Sequence, residues 1–97
     1  MSTQDIFKAI SDPTRRQILK LLHGGSRTAG QLAEAFDVTK ASMSHHFAVL
    51  KAADLIRSER RGQQIVYTLN TTVLQDAATL LLDLLPRGLA RPRGARR

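Results

Sequence analysis

The chain contains no cysteine and no tryptophan, and its aromatic residues amount to three phenylalanines and one tyrosine. The missing thiols exclude disulfides, thiolate metal sites and cysteine nucleophiles. The shortage of rings leaves packing to Leu, Ile, Val and Ala. In 97 residues that makes a modest core, which a dimer would supplement by burying more surface. No stretch approaches the ~20 apolar residues of a membrane span. The polar start Met1-Ser2-Thr3-Gln4-Asp5 has no long apolar run behind it, unlike a signal peptide. Together these absences read as one small, soluble, cytoplasmic domain.

Acidic residues are scarce as well, eight against fifteen Lys and Arg, for a formal net charge of +7. The location of that charge limits what it implies. Five arginines (Arg87, Arg91, Arg93, Arg96, Arg97) fall in residues 86–97, which hold no acid, so +7 less 5 leaves +2 on residues 1–85. The excess suggests a polyanionic partner without locating the contact on the folded part. Residues 1–85 read as the domain, and residues 86–97 as a disordered Arg-rich tail that either adds phosphate contacts or only aids solubility.

Within the domain, apolar periodicity and end signals predict a series of helices. Asp5–Ile10 is short and apolar, with Ile6, Phe7 and Ile10 on one face. Asp12 as a cap and Pro13 at the first helical position open a helix over Pro13–His23, which Gly24-Gly25 ends. Its Ile18, Leu19, Leu21 and Leu22 point inward, and Arg15, Arg16 and Lys20 outward. Thr28 caps a helix running to Phe36, Asp37-Val38-Thr39 breaks it, and a second spans Lys40–Ala53. On the second, Met43, Phe47 and Leu50 recur at i, i+4 and i+7 and form a buried stripe. The opposite face holds Ala41, His45, Ala48 and Ala52, flanked by Ser42 and Ser44. A helix buried on one side and small and hydrogen-bonding on the other suits a DNA major groove.

The period then drops to 2. Leu55–Arg60 and Gln64–Leu69 are strand-like around Arg61-Gly62-Gln63, a hairpin that must lean on the helices to be stable. Asn70-Thr71-Thr72 supplies caps for a last helix from Val73 to about Leu85, ended by Pro86. Val73, Ala77, Leu80, Leu81 and Leu84 form one stripe on it, and Leu74, Ala78, Leu82 and Leu85 crowd beside them. A small monomer has no obvious cover for both faces, so Val73, Leu74, Ala77, Leu80, Leu81 and Leu84, with Ile6, Phe7 and Ile10, read as a dimer surface. The other reading is that this helix completes a monomeric core. The predicted fold is mainly α with a β-hairpin wing, a winged helix-turn-helix in the order α-α-α-α-β-β-α, dimeric.

The candidate chemistry follows from that frame. Ser42, Ser44 and His45 sit in the N-terminal half of the second helix of the pair, within reach of base edges or phosphates, and Lys40 can neutralise a phosphate. Serine discriminates little between bases, and outside this frame the same residues would be ordinary solvated surface. Arg60, Arg61 and Gln63 of the wing are placed to approach the adjacent minor groove or its phosphates, while Arg57 and Glu59 could pair with one another. His46 lies between the polar and buried faces, and is either a phosphate contact or part of the helix framework. Adjacent His45 and His46 diverge by about 100° and do not chelate one ion, so no metal site and no cofactor are expected. Ser44, His45 and the aspartates have the residue types of a hydrolase triad but no nucleophile elbow or oxyanion scaffold, so no enzyme is expected.

Several segments carry a family resemblance. Ala9–Leu19 (AISDPTRRQIL), Leu32-Ala33, Ser42–Phe47 (SMSHHF) with Leu50-Lys51, Leu55-Ile56, and Arg61-Gly62-Gln63 with Tyr67-Thr68-Leu69 together resemble the ArsR family of bacterial winged-helix repressors. Asn70–Asp76 (NTTVLQD) is most similar to its autorepressor branch. The resemblance spans residues 4 to about 85. It implies a homodimer with its first and last helices at the interface, binding a palindromic double-stranded DNA operator and blocking transcription. It also places a recurring family histidine at His46. Metal-sensing members carry cysteines in the helix before the recognition helix, or Asp and His in the last helix. Here those regions are Ser26-Arg27-Thr28-Ala29-Gly30, and a last helix offering Asp76 and Asp83 without histidine. Neither builds a closed soft-metal site, so metal sensing of the usual family type is not expected. Two functions stay in view: a sequence-specific repressor, and a protein-interaction module on the same scaffold using the last helix and tail.

Overall fold

Capping chemistry sets most of the element boundaries in the computed structural model, which describes residues 3–86. The tail arginines, from Arg87 on, lie outside the described residues. Eight elements follow in order: α1 (Thr3–Ala9), α2 (Pro13–His23), β1 (Arg27–Thr28), α3 (Ala29–Glu34), α4 (Lys40–Ala52), β2 (Ile56–Arg61), β3 (Gln64–Leu69) and α5 (Thr71–Leu82). Asp12 caps α2 by accepting from the Arg15 amide at 3.0 Å, with Pro13 in the first turn. Thr28 and Gln31 form a capping box on α3, each side chain accepting from the other's amide, at 3.1 and 2.9 Å. Thr39 accepts from the Ser42 amide at 3.0 Å to start α4.

Two differences from the predicted order have plain causes. The strand β1 was not expected, because two residues are too few to show a period of 2. It pairs antiparallel with β3, Arg27 opposite Tyr67 and Thr28 opposite Val66, so the hairpin is part of a three-stranded sheet in the order β1-β3-β2. At its edge the Ser26 and Thr68 hydroxyls share a 2.7 Å hydrogen bond. The last helix ends at Leu82 rather than near Leu85, and residues 83–85 continue as turns in which Leu84 and Leu85 donate to the Leu81 and Leu82 carbonyls.

The wing is tighter than predicted. Strand β2 runs through Arg61, which faces Gln64, leaving the two-residue turn Gly62-Gln63. Gly62 sits at φ +65°, the left-handed backbone that a glycine at the first central position of a type II′ hairpin turn provides without strain.

The core lies where the five helices and the sheet pack together. Ile18, Leu32, Leu50, Leu55 and Ile56 are its fully buried large side chains, each contributing roughly 1.5–3 kcal/mol of transfer free energy. Leu50 and Leu55 belong to the turn that leaves α4. The Leu55 amide donates to Leu50 O and the Asp54 amide to Lys51 O, a Schellman arrangement with Asp54 in the left-handed region at φ +62°. Its hydrophobic partner contact is made by the same two leucines.

Asn70 holds this turn in place. It stands at the N-cap position of α5, yet its side chain makes no cap bond. Instead, Nδ2 donates to Asp54 O at 3.0 Å and the Asn70 amide to Leu55 O at 2.9 Å, fastening the end of β3 to the exit of α4. At 5% exposure the amide group has no water to fall back on. Asn70→Ala is therefore expected to lower stability by about 1–3 kcal/mol. Asn70→Ser, an equally good helix cap, restores little of it, because its hydroxyl is too short for the Asp54 carbonyl. Urea midpoints of the three proteins check this, and full rescue by serine would return Asn70 to a capping role.

Candidate nucleic-acid interface

Met43, Phe47 and Leu50 anchor α4 on the core, and His46 is buried beside them. Phe47 stacks on Tyr67 of β3, ring centroids 4.6 Å apart and planes at 29°, so the helix is keyed directly to the wing strand. Burial raises the Tyr67 phenol above its usual range, which keeps that ring neutral. The outer side of α4 is open: Lys40, Ala41, Ser44, His45, Ala48, Lys51 and Ala52 are exposed, and Ser42 is half-buried. Grooves border this side on both flanks. One of about 440 Å³ separates it from α3 and is lined by Ala29, Gly30, Ala33, Lys40, Met43, Ser44 and Phe47. The other, of about 230 Å³, separates it from the sheet and is lined by Ser44, Phe47, Ala48, Lys51 and Tyr67. Ser44 and Phe47 border both, and of the two only Ser44 is exposed.

The side chains of the wing sort by strand register. Ser58 faces Tyr67 across the ladder, and Arg60 faces Ile65. Residues on one face alternate, so Ile56, Ser58 and Arg60 share the sheet face that meets α4, and Arg57, Glu59 and Arg61 share the other. Arg60 thus extends from the face on which the open helix lies. Arg61 pairs with Glu59 at 3.1 Å, rather than Glu59 with Arg57. With both side chains about two-thirds exposed, that pair is weak and can be exchanged for a phosphate. Gln63 is exposed at the tip.

The structure divides the sequence-derived set. Lys40, Ser44 and His45 are brought together on the open side of α4, with Ser42 at its margin. His46 stands apart from them: at 8% exposure it is buried on the inner side of the helix. Its Nδ1 lies 3.2 Å from Arg15 Nη1 and 3.9 Å from Asp12 Oδ2. Arg15 and Arg16 are likewise more than solvated charges. Arg15 donates through Nε to Ala9 O at 2.6 Å and through Nη2 to Lys8 O at 3.2 Å, and Arg16 donates to Ile10 O at 2.9 Å. These are the C-terminal carbonyls of α1, where cations are favoured. Lys51, outside the sequence-derived set, lines the same groove as Ser44 and Ala48. Its signal was the i, i+4, i+7 spacing of Ser44, Ala48 and Lys51 along one edge.

The expected dimer surface also divides. Ile6, Val73 and Ala77 are buried in the protomer's own core, and Phe7, Ile10 and Leu74 are half-buried against it. Leu80, Leu81 and Leu84 are exposed, Leu84 at 80%, and Leu82 and Leu85 are exposed beside them. Among the described residues no group of three or more His, Asp or Glu could hold a metal ion. Nor is any described helix long and apolar enough to cross a membrane.

A helix-turn-helix domain family model matches residues 10–59, which contain α2, α3 and α4. The transcriptional repressor SdpR of Bacillus subtilis strain 168 is 55% identical over 84 residues, covering 87% of this chain and 93% of that protein. The chain belongs to the ArsR family of winged helix-turn-helix regulators. Within it, the resemblance is to the SdpR-like branch. The arsenical resistance operon repressor of Staphylococcus aureus is more distant, 35% identical over 71 residues, covering 73% of this chain and 68% of that protein. Among solved structures, an ArsR family transcriptional regulator superposes with a TM-score of 0.78 at 29% identity, covering 82% of this chain and 88% of that one. HlyU from Vibrio cholerae superposes at 0.68 and 28% identity, covering 82% and 87%. Fold and family therefore agree with the placement of α3 and α4 as the helix-turn-helix pair.

The Asp12 carboxylate gives this ArsR-family framework a pH dependence. Its hydrogen bond from the Arg15 amide, opposed by partial burial and helped by the nearby Arg15 guanidinium, holds its pKa below the ordinary 3.8. A depressed carboxylate stabilises the fold above the unfolded-state value, and that contribution is lost as pH falls through the folded-state value. Asp12→Asn keeps a capping side chain but cannot ionise. The variant is expected to be less stable than the parent at pH 7 and to lose less stability between pH 4 and 2. Thermal unfolding at stepped pH reads this out, and parallel acid limbs for the two proteins would remove Asp12 from the account.

Proposed function

We propose that the chain is a DNA-binding transcriptional repressor that acts in the cytoplasm as a homodimer on a palindromic operator. The observation that carries this is the one-sided burial of α4. Its apolar stripe is locked to the core and wing, while Lys40, Ala41, Ser44, His45 and Ala48 form an open, small-residue edge between two grooves. Such an edge fits a major groove closely because alanine and serine let the helix backbone approach the base edges. Ser44 and His45 read bases there. Lys40, Lys51 and the α4 amides contact phosphates, Ser42 sits at the margin, and Arg60, with Arg61 and Gln63 at the wing tip, reaches the flanking minor groove or its backbone.

The exposed leucines near the end of α5 support the dimer: five large apolar side chains in six positions form a patch of the kind that marks an interface. Relatives named as repressors support negative control and do not favour the alternative of a protein-interaction module with vestigial DNA binding. The donor set supports a repressor that does not sense soft metals, since the stretch before α3 has no thiol and α5 offers Asp76 without histidine.

Wild-type chain is expected to enrich a palindromic duplex from a random pool, and to prefer it over random duplex by about 10³-fold or more at physiological salt. His45→Ala should lower affinity for the enriched duplex by roughly 5- to 100-fold, as expected for one lost base contact, with little change on random duplex. Equal losses on both would make His45 a phosphate contact. A wild-type chain that enriches no sequence would overturn specific repression.

A further inference from the structure

The part-buried contact between Arg15 and His46 joins α2 to α4. Arginine only donates, so the 3.2 Å contact from Nη1 requires an unprotonated Nδ1 on His46, with the ring proton on Nε2. The same guanidinium holds Ala9 O and Lys8 O at the end of α1. Its backbone amide is fixed by Asp12 Oδ2, which also stands 3.9 Å from His46 Nδ1. One planar group therefore bonds α1 and α4 at once from a position on α2. His46 is flanked on α4 by the exposed His45 and by Phe47, which is stacked on the wing. His46 lies on the same helix as Ser44 and His45, two and one positions beyond them.

We propose that Arg15 and His46 are positioning residues for operator recognition: the guanidinium fork sets the pose of α4 against α1, and through it the fit of the reading edge to the groove. This rests on the repressor reading. Arg15 is suited to the task because its fork is rigid and donates in several fixed directions, whereas a lysine ammonium is a single flexible point. The contact also makes the pose of α1 and that of α4 interdependent. Because α1 carries Phe7 and Ile10 of the proposed dimer surface, subunit association and operator binding strengthen one another reciprocally.

The test uses the full chain and a duplex enriched by the wild type from a random pool. His46→Leu removes the acceptor, His46→Asn retains one near the Nδ1 position, and Arg15→Lys removes the fork. His46→Leu and Arg15→Lys are expected to lose about tenfold in affinity for the enriched duplex, with less than about twofold change on random duplex. His46→Asn should recover most of the loss. The double variant His46→Leu/Arg15→Lys should lose no more than Arg15→Lys alone, because the contact to His46 is already gone in that variant. Helix content and Tm are followed for each protein, so that a chain that does not fold is recognised and the Arg15→Lys and His46→Asn pair then decides. Unchanged preference for the enriched duplex in folded His46→Leu or Arg15→Lys, or no recovery with His46→Asn, would overturn the proposal and leave the repressor reading intact. If the wild type enriches no duplex, the repressor reading fails first and this inference with it.

Discussion

Helix α4 is held from one side only, and the rest of the molecule serves that condition. Met43, Phe47 and Leu50 commit its inner face to the core, leaving an outer face of alanine, serine, histidine and lysine. A helix with so little charge outside would be marginal by itself, since most helical stability in proteins comes from tertiary packing. Here packing is supplied at three levels. Thr39 fixes the start, the Phe47–Tyr67 stack fixes the middle against the sheet, and the Leu50–Leu55 turn fixes the exit.

Polar groups do the orienting that the aliphatic core cannot. Leu, Ile and Val packing is tolerant of small rotations, whereas a hydrogen bond made in a buried setting is costly to lose. The corner between α1 and α2 is closed by two consecutive arginines, through a part-buried bond to the Ala9 carbonyl and exposed ones to those of Lys8 and Ile10. The junction between α4 and the wing is closed by Asn70 on the carbonyl of Asp54. Arg27 closes a third, donating to Leu21 O at the end of α2. Among the described residues no buried side-chain nitrogen or oxygen is left without a partner, in keeping with a scaffold whose polar bonds fix the presentation of one surface.

Much of this was legible in the sequence because capping is local. Asp12-Pro13, Thr28 and Thr39 each announce a helix start by the side chain's own chemistry, and the structure uses all three as caps. The apolar spacing of α4 was equally direct. What escaped were roles decided by distant partners. Asn70 has the composition of a cap but is drawn to a carbonyl sixteen residues away. His46 stands at an ambiguous angle on the helix, and its contact with Arg15, 31 positions earlier, has no local signal in the sequence. Strand β1 is too short for any pattern and exists because β3 offers it an edge. On α5 the sequence showed an excess of leucine without showing which residues the protomer's own core would take. The core takes Val73 and Ala77, leaving the leucines from Leu80 on exposed.

The proposed function is one physical picture: two copies of the chain, each with a helix in a major groove and a wing beside it. Hydroxyl-radical footprinting of the full chain on a duplex enriched from a random pool tests that picture most directly. The account predicts two protected regions related by a twofold axis and centred about 10 base pairs, or a multiple of that, apart. Methylation of guanine N7 in the major groove should interfere with binding at their centres, and protection should extend into the flanking minor groove. Uniform protection without twofold symmetry, or interference confined to the minor groove, would contradict it.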